Sequence, residues 1–488
     1  MKKNLLALLL IVTMLVNAFA LTSCNLFSGD DSEFEEGKIN ITFYHTMGEN
    51  LRTVLNNYVE EFEELYPFIN VIHSQVGSYD DVRDTISTEL TTGAQPNIAY
   101  CYPDHVALYN VALAVAVLDD YIDYEGDYTF TKIDGDPVTV SNIGLTQAQK
   151  DDFIQGYYEE GRQFGDADGD GVDEMYTLPL SKSTEVLYYN KDAFDGWAAK
   201  YAETGDEKYN IKLPTTWEEM EETCAKIKAL YPDSTPLGYD SESNWFITMC
   251  EQLNSPYTSA TGDHFLFDNE ENRAFVKRFS EWHEKGYVTT QEIYGAYTSG
   301  LFVAQTGTKS YMSIGSSAGA THQRPAKNDD GEYPFEVGIA TIPQMSADNK
   351  KVISQGPSVC IFEADELEVI ASWLFVKFLT TKVEFQAEFG MASGYVPVLE
   401  SVAQNPVYSA FIAAADGGNN IAALSAKVCL EQKDAYYVSP AFNGSSEARD
   451  QVGFLMQYCM TNYKTAADKD AMIKKAFEDA VAECEYMS

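Results

Sequence analysis

The stretch INITFYHTMGENLRTVLNNYVEEFEELYPFINVIHSQ, residues 39–75, decides the architecture. Ile39 to Phe43 alternates apolar and polar residues, the period of a half-buried strand. Leu51, Val54, Leu55, Tyr58, Phe62 and Leu65 then recur at spacings of three and four, which lines one face of a helix, and Pro67 stops it. Asn70 to Gln75 returns to a strand pattern. Working outward, Tyr79 to Leu90 reads as a second helix and Asn97 to Tyr102 as a third strand. Strand, helix, strand, helix, strand with short links predicts a parallel α/β sheet.

The alternation resumes after an irregular acidic stretch at 119–140. Leu178 to Tyr189 reads as a strand, Trp217 to Leu230 and Phe275 to Lys285 as helices, and Ser310 to Ile314 as a strand. Helices are expected at Asp365 to Thr380, Val383 to Phe389, Ser445 to Tyr463 and Asp468 to Glu485. At 488 residues, two or three lobes are expected. In a two-lobed α/β chain a ligand sits in the cleft between lobes, outside the strand C-termini.

Composition narrows the function. The chain has 33 Lys+Arg against 75 Asp+Glu, a formal net charge of -42. A nucleic-acid partner is excluded, because phosphate is held by clustered cations, and an anionic lipid surface is an equally poor electrostatic match. Hydrophobic residues at 45% and aromatics at 13% supply a large core, so the acidity does not imply disorder.

The N-terminus supplies a membrane link of another kind. Lys2 and Lys3 precede an apolar run, Leu5 to Val16, which is too short to span a bilayer and fits a secretion signal. Thr22-Ser23-Cys24 resembles the bacterial lipobox, which implies cleavage after residue 23 and a diacylated Cys24; the other reading is an ordinary signal peptide with an incidental cysteine. Residues 24–37 read as an acidic tether. The seven later cysteines, Cys101, Cys224, Cys250, Cys360, Cys429, Cys459 and Cys484, are scattered without a CxxC pair. They are expected to be mostly buried thiols, and one disulfide is compatible with them.

Several motifs together carry a family resemblance. Tyr44-His45-Thr46-Met47-Gly48, Gly77-Ser78-Tyr79-Asp80, the run Leu178 to Phe194 (LPLSKSTEVLYYNKDAF), Pro214 to Glu219 (PTTWEE) and Gly394-Tyr395-Val396-Pro397-Val398 resemble family-1 extracellular solute-binding proteins of ABC importers. The resemblance runs from about residue 38 to the C-terminus. It is most specific toward members that bind sn-glycerol-3-phosphate, while others bind mono- and oligosaccharides. It implies a type II periplasmic-binding-protein fold: two α/β lobes joined by crossover strands that close on ligand. On that basis lobe one is expected at 38–150 plus 310–365, and lobe two at 151–309 plus 366–488.

A sugar or polyol needs aromatic platforms and polar groups around them. Tyr44, just past the first strand, is either a cleft residue or a half-buried loop aromatic. The resemblance implies ligand contacts for Tyr79, Ser183, Tyr395 and Arg449, and places Asp104 near an acid of the glycerol-phosphate binders. It also implies that the turn with Ser316 and Ser317 lines the cleft. Arg449 can hold phosphate bidentately, or can pair with Glu447 or Asp450 on a surface helix. Lys182 departs from the family pattern and adds a cation to the cleft or points to solvent. Trp245 has polar neighbours, Ser241 to Asn244, which favours a stacking platform over a core position. Gly356 lets the backbone approach a ligand, as a residue without Cβ can.

Asp166, Asp168, Asp170 and Gly171 have the spacing of the first half of an EF-hand loop, with Val172 and Glu174 as further candidate ligands. Thr177 stands where an EF-hand carries Glu, so an unmodified EF-hand fails. The loop is either a structural Ca²⁺ site or a solvated acidic turn. No other cofactor is expected.

These features add up to a monomeric, lipid-anchored binding protein on the extracellular face of a bacterial membrane. It would deliver a carbohydrate-class solute to a permease pair and would not be an enzyme. The alternatives are a secreted glycosidase, for which no carboxylate pair stands out, and a calcium-dependent surface adhesin.

Overall fold

A computed structural model describes residues 34–163, 165 and 171–487. Cys24 and the signal segment lie outside the described residues, as do Asp166, Asp168 and Asp170. Among the described residues the strands form a five-stranded and a seven-stranded sheet, with two hairpins beside them.

The first sheet begins as the 39–75 stretch dictates. Strand Ile39–His45 buries alternate residues and pairs in parallel with Ile69–Gln75, Ile39 opposite Ile69. Its other edge meets Ile98–Cys101, also in parallel. Helix Glu49–Leu65 buries Leu55, Tyr58, Val59 and Phe62, while Leu65, at the end of the expected face, is exposed. Helix Tyr79–Glu89 starts on a capping box in which Ser78 and Asp81 bond each other's backbone. That motif satisfies two donors the helix itself cannot. The sheet is completed by two antiparallel strands from far along the chain, Ser358–Ile361 and Thr177–Pro179.

The second sheet is ordered Val288–Thr290, Leu237–Tyr239, Met312–Ser316, Ser183–Asn190, Val352–Gln355 and Tyr436–Tyr437, with Val337–Ala340 also pairing Ser183–Asn190. Its core holds Trp217, Trp245, Trp282, Phe279 and Phe477. Helix Ser445–Asn462 and helix Lys469–Met487 pack here. Helix Glu366–Thr381 instead joins the first core, with Phe375 edge-on to Phe62 at 5.0 Å.

Sheet membership therefore divides the chain at other points than the sequence suggested. Met312–Ser316 lies in the second sheet, not with the first lobe, and residues 366–413 pack mainly on the first core, not the second. The expected strand Leu178 to Tyr189 is two strands, one in each sheet, so the chain crosses between lobes at 180–182. It crosses again at 356–357 and a third time between residues 413 and 435. The acidic stretch 119–140 contains a hairpin, Asp127–Thr131 with Pro137–Ser141. All seven cysteines after Cys24 are free and buried. No helix among the described residues is long and apolar enough to cross a membrane.

Candidate functional site

The crossovers at 180–182 and 356–357 lie against one another. The amides of Leu180 and Ser181 donate to the Pro357 carbonyl at 3.0 and 3.2 Å. Gly356 has φ +106°, and a Cβ there would fall 2.7 Å from the Lys182 Cα, so any side chain would push the crossovers apart. The closeness expected between Gly356 and a ligand is here a closeness between the two crossover segments, at the wall of a pocket.

That pocket is lined by Tyr102, Asp104, Glu160, Lys182, Gly356 and Arg449, among others. Asp104 comes from the first lobe, in the opening turn of helix Pro103–Asn110, where Pro103 at the helix start needs no backbone partner. Arg449 comes from helix Ser445–Asn462 of the second lobe. Its Nε donates to Asp104 Oδ2 at 3.3 Å and its Nη1 to Asn244 Oδ1 at 2.9 Å. Asn244 Nδ2 in turn donates to Gln355 Oε1 at 2.9 Å and to Glu185 Oε1 at 3.1 Å. One hydrogen-bonded chain thus runs from the first lobe through the cleft to the second sheet. Burial works to raise the Asp104 carboxyl, but His105 and Arg449 outweigh it and hold the group below the usual carboxylate range.

A second buried pair forms the floor. Lys182 Nζ lies 2.5 Å from Glu160 Oε2, and its side chain is only 1% exposed, so it does not point to solvent. Lys182 also donates to Ser358 Oγ at 3.2 Å, and Ser354 Oγ donates to Glu160 Oε1 at 3.2 Å. Burial raises the Glu160 carboxyl, with Lys182 opposing. Both cations in the cleft are therefore already neutralised by a carboxylate, and an anionic ligand must compete with Asp104 for Arg449.

Aromatic rings wall the first-lobe side. Tyr79 stacks on Tyr102 at 4.4 Å and 18°, and its hydroxyl meets that of Tyr395 at 3.3 Å. Gly394 brings the Tyr395 turn against the Ser317 carbonyl. Of the residues expected from sequence, Tyr79, Asp104, Gly356, Tyr395 and Arg449 thus converge at or next to the pocket.

Others do not. Trp245 is fully buried in the second core, stacked on Tyr239 at 4.7 Å and 10° and against Phe279 at 4.1 Å. Its polar neighbours are the first turn of helix Glu242–Leu253, with Ser241 as N-cap, so it is a core residue and not a platform. Tyr44 packs in a satellite cluster with its hydroxyl 3.4 Å from Glu89. Ser183 is buried and paired opposite Gln355. Ser317 Oγ accepts from the Thr184 amide at 3.2 Å, while exposed Ser316 caps the Ala318 amide. Arg449 is not the surface arginine of the alternative reading, since its partner is Asp104 across the cleft. Val172 is exposed and Glu174 buried beside a short hairpin, Arg162–Gln163 with Glu174–Met175. Among the described residues no cluster of three or more His, Cys, Asp or Glu could hold a metal.

Sequence reasoning missed Tyr102, Glu160, Asn244, Gln355 and Glu185. Their one signal is position: Tyr102 follows a strand end, Gln355 precedes the hinge glycine, and Glu185 follows the first crossover. Glu185 is fully inside, where Tyr239 and Asn244 bond it, and burial lifts its carboxyl to about 7.

Comparison with known proteins gives the family and the fold. Residues 57–416 match the model of the bacterial extracellular solute-binding protein family, and the chain belongs to that family. It is 22% identical over 375 residues to the sn-glycerol-3-phosphate-binding periplasmic protein UgpB of Escherichia coli strain K12, covering 74% of each chain. Its fold matches UgpB of Mycobacterium tuberculosis in complex with glycerophosphocholine, with TM-score 0.66 at 15% identity over 93% of this chain and 98% of that one. It also matches the GacH receptor of Streptomyces glaucescens, solved unliganded and with acarbose. There the TM-score is 0.66 at 14% identity over 91% and 98% of the two chains.

Proposed function

We propose that this chain is the lipid-anchored, extracellular substrate-binding component of an ABC importer, and that it captures a carbohydrate-class solute, a sugar or a glycerol-3-phosphate-type polyol. The observation that carries the reading is the Asp104–Arg449–Asn244–Gln355 chain, which joins first lobe, second lobe and hinge at a pocket walled by tyrosines. A ligand that replaces part of this chain touches both lobes at once and so favours the arrangement in which they meet. The closed form would then dock on the permease pair as a monomer, with Cys24 as the lipid-modified anchor and no catalysis. The named relatives that bind glycerol-3-phosphate, glycerophosphocholine and acarbose support the ligand class.

A thermal-shift screen of purified protein against sugars, polyols and phosphorylated polyols tests this. A hit at one hundred times its dissociation constant stabilises the fold by about 2.7 kcal/mol. Absence of any hit across these classes, or an X-ray scattering profile that does not compact with a tight hit, would sink the reading. A structural Ca²⁺ in the Asp166 to Glu174 loop belongs to the same proposal and rests on the sequence spacing alone. Calorimetric titration with Ca²⁺ tests it directly, and a flat trace removes it.

A further inference from the structure

We infer that the recognition site has a second chamber beyond Glu160 and Ser354, and that this chamber takes a neutral, polyhydroxylated ring of an extended ligand. The inference rests on the binding-protein reading and names its substrate class. The pocket at Arg449 contains about 30 Å³ of free space as the lobes meet here, room for roughly two or three water molecules. A neighbouring cavity contains about 450 Å³, within the range of about 300–1,000 Å³ that small-molecule sites occupy.

The two share Glu160, Ser354 and Val438 as a common wall. Much of that partition is side chain: Ser354 Oγ holds one Glu160 oxygen at 3.2 Å and Lys182 holds the other at 2.5 Å. The partition between the two spaces therefore consists of the Glu160 carboxylate, the Ser354 hydroxyl and Val438. The larger chamber carries Tyr157 and Tyr436, whose rings lie 6.1 Å apart at 28°, and Glu400, Asp434 and Lys433 add hydrogen-bonding groups to the same wall. Stacked on one another, these tyrosines line the chamber as an aromatic pair, and with the polar groups beside them they suit the apolar CH groups and hydroxyls of a sugar ring. With Glu160 paired to Lys182, two carboxylates face one ammonium, which disfavours an anion there. A polar end of the ligand would thus sit at Arg449 and a neutral ring in the chamber.

Gly156 lies in the chamber wall, and a Cβ added to it meets nothing within 4 Å. Gly156→Trp and, from another part of the wall, Leu430→Trp, both at exposed positions of the wall, are the variants meant to block the chamber, with Gly156→Ala as control. Titration calorimetry with glucose, maltose, maltotriose and sn-glycerol 3-phosphate reads the outcome. For wild type we expect maltotriose to bind at least about ten-fold tighter than glucose, a gain of about 1.4 kcal/mol. Both Trp variants should lose that gain, keep the wild-type unfolding temperature and bind sn-glycerol 3-phosphate as wild type does. Equal affinity of wild type for glucose and maltotriose, or a full gain retained in both Trp variants, overturns the chamber. Binding of none of the four probes to wild type overturns the parent reading instead and takes the chamber with it.

Discussion

Two aromatic clusters of similar chemistry lie on either side of the hinge and do different work. In the second lobe, Tyr239, Trp245, Trp217 and Phe279 stack within a sealed core. In the first lobe, Tyr79 stacks between Tyr102, which lines the pocket, and the buried Tyr100, and its hydroxyl meets that of Tyr395. Trp217 gives its one donor to Gln252 at 2.9 Å inside the core, whereas the Tyr79 and Tyr395 hydroxyls meet at partly exposed positions next to the pocket. What covers a ring, and not the ring itself, decides whether it is sealed in a core or left beside a cavity. Glu185 joins the sealed cluster to the pocket, because it accepts from Tyr239 on one side and from Asn244, the partner of Arg449, on the other.

The largest effect that would test this contrast comes from the sealed cluster. Trp245→Ala should cost about 3–5 kcal/mol of stability, as large core truncations do, read by urea denaturation. The surviving folded fraction should bind ligand with near wild-type affinity. Tyr102→Ala should show the reverse, with a modest loss of stability and at least a ten-fold loss of affinity, which is about 1.4 kcal/mol. If the two variants behave alike, the division between core and cleft is wrong.

Next in size is the hinge pair. Lys182→Met leaves Glu160 buried without its cation, which should cost about 3 kcal/mol or more. Glu160→Leu combined with Lys182→Met should recover most of that loss. A Lys182→Met variant as stable as wild type would show that the pair is solvated in solution.

Glu185 gives a pH dependence of similar size. Its folded carboxyl titrates at about 7 against an ordinary 4.5, so the folded chain holds this proton more tightly than the unfolded one. Its contribution is therefore most favourable below about pH 4.5 and declines as pH rises to about 7, by roughly 3 kcal/mol in all. Calorimetric unfolding at pH 5 and pH 8 should show a steeper fall for wild type than for Glu185→Gln. Equal slopes would place the carboxyl at an ordinary value.

The smallest effect tests the open cluster alone. Tyr79→Phe removes the bond to Tyr395 and keeps the stack on Tyr102, so stability should fall by about 0.5–1.5 kcal/mol. A larger fall, by the same denaturation, would mean that this cluster is structural after all.

Much of the first lobe was legible from residues 39–102, because strand and helix periods there are local and each element pairs with a neighbour in sequence. The site was legible in part. Tyr79, Asp104, Tyr395 and Arg449 could be named, but nothing local says that Asp104 and Arg449, 345 residues apart, form one ion pair. Trp245 misled because Ser241 to Asn244 is polar as a helix start, while the helix that follows turns the indole inward. Lys182 offered solvent and cleft as equal readings, and burial against Glu160 excluded solvent.

By itself the amino-acid sequence determined the class of elements, the strand–helix alternation, the strong negative charge and the family motifs, since all of these depend on residue type and near spacing. Only the tertiary structure decided where the lobes divide. The run Leu178 to Tyr189 looks like one strand, yet the bonds of its two halves are made to different sheets, by partners from residues 358–360 and from 312–355. Strand pairing is non-local, so the hinge, its glycine at 356 and the cleft it frames exist in the fold and not in any window of the chain.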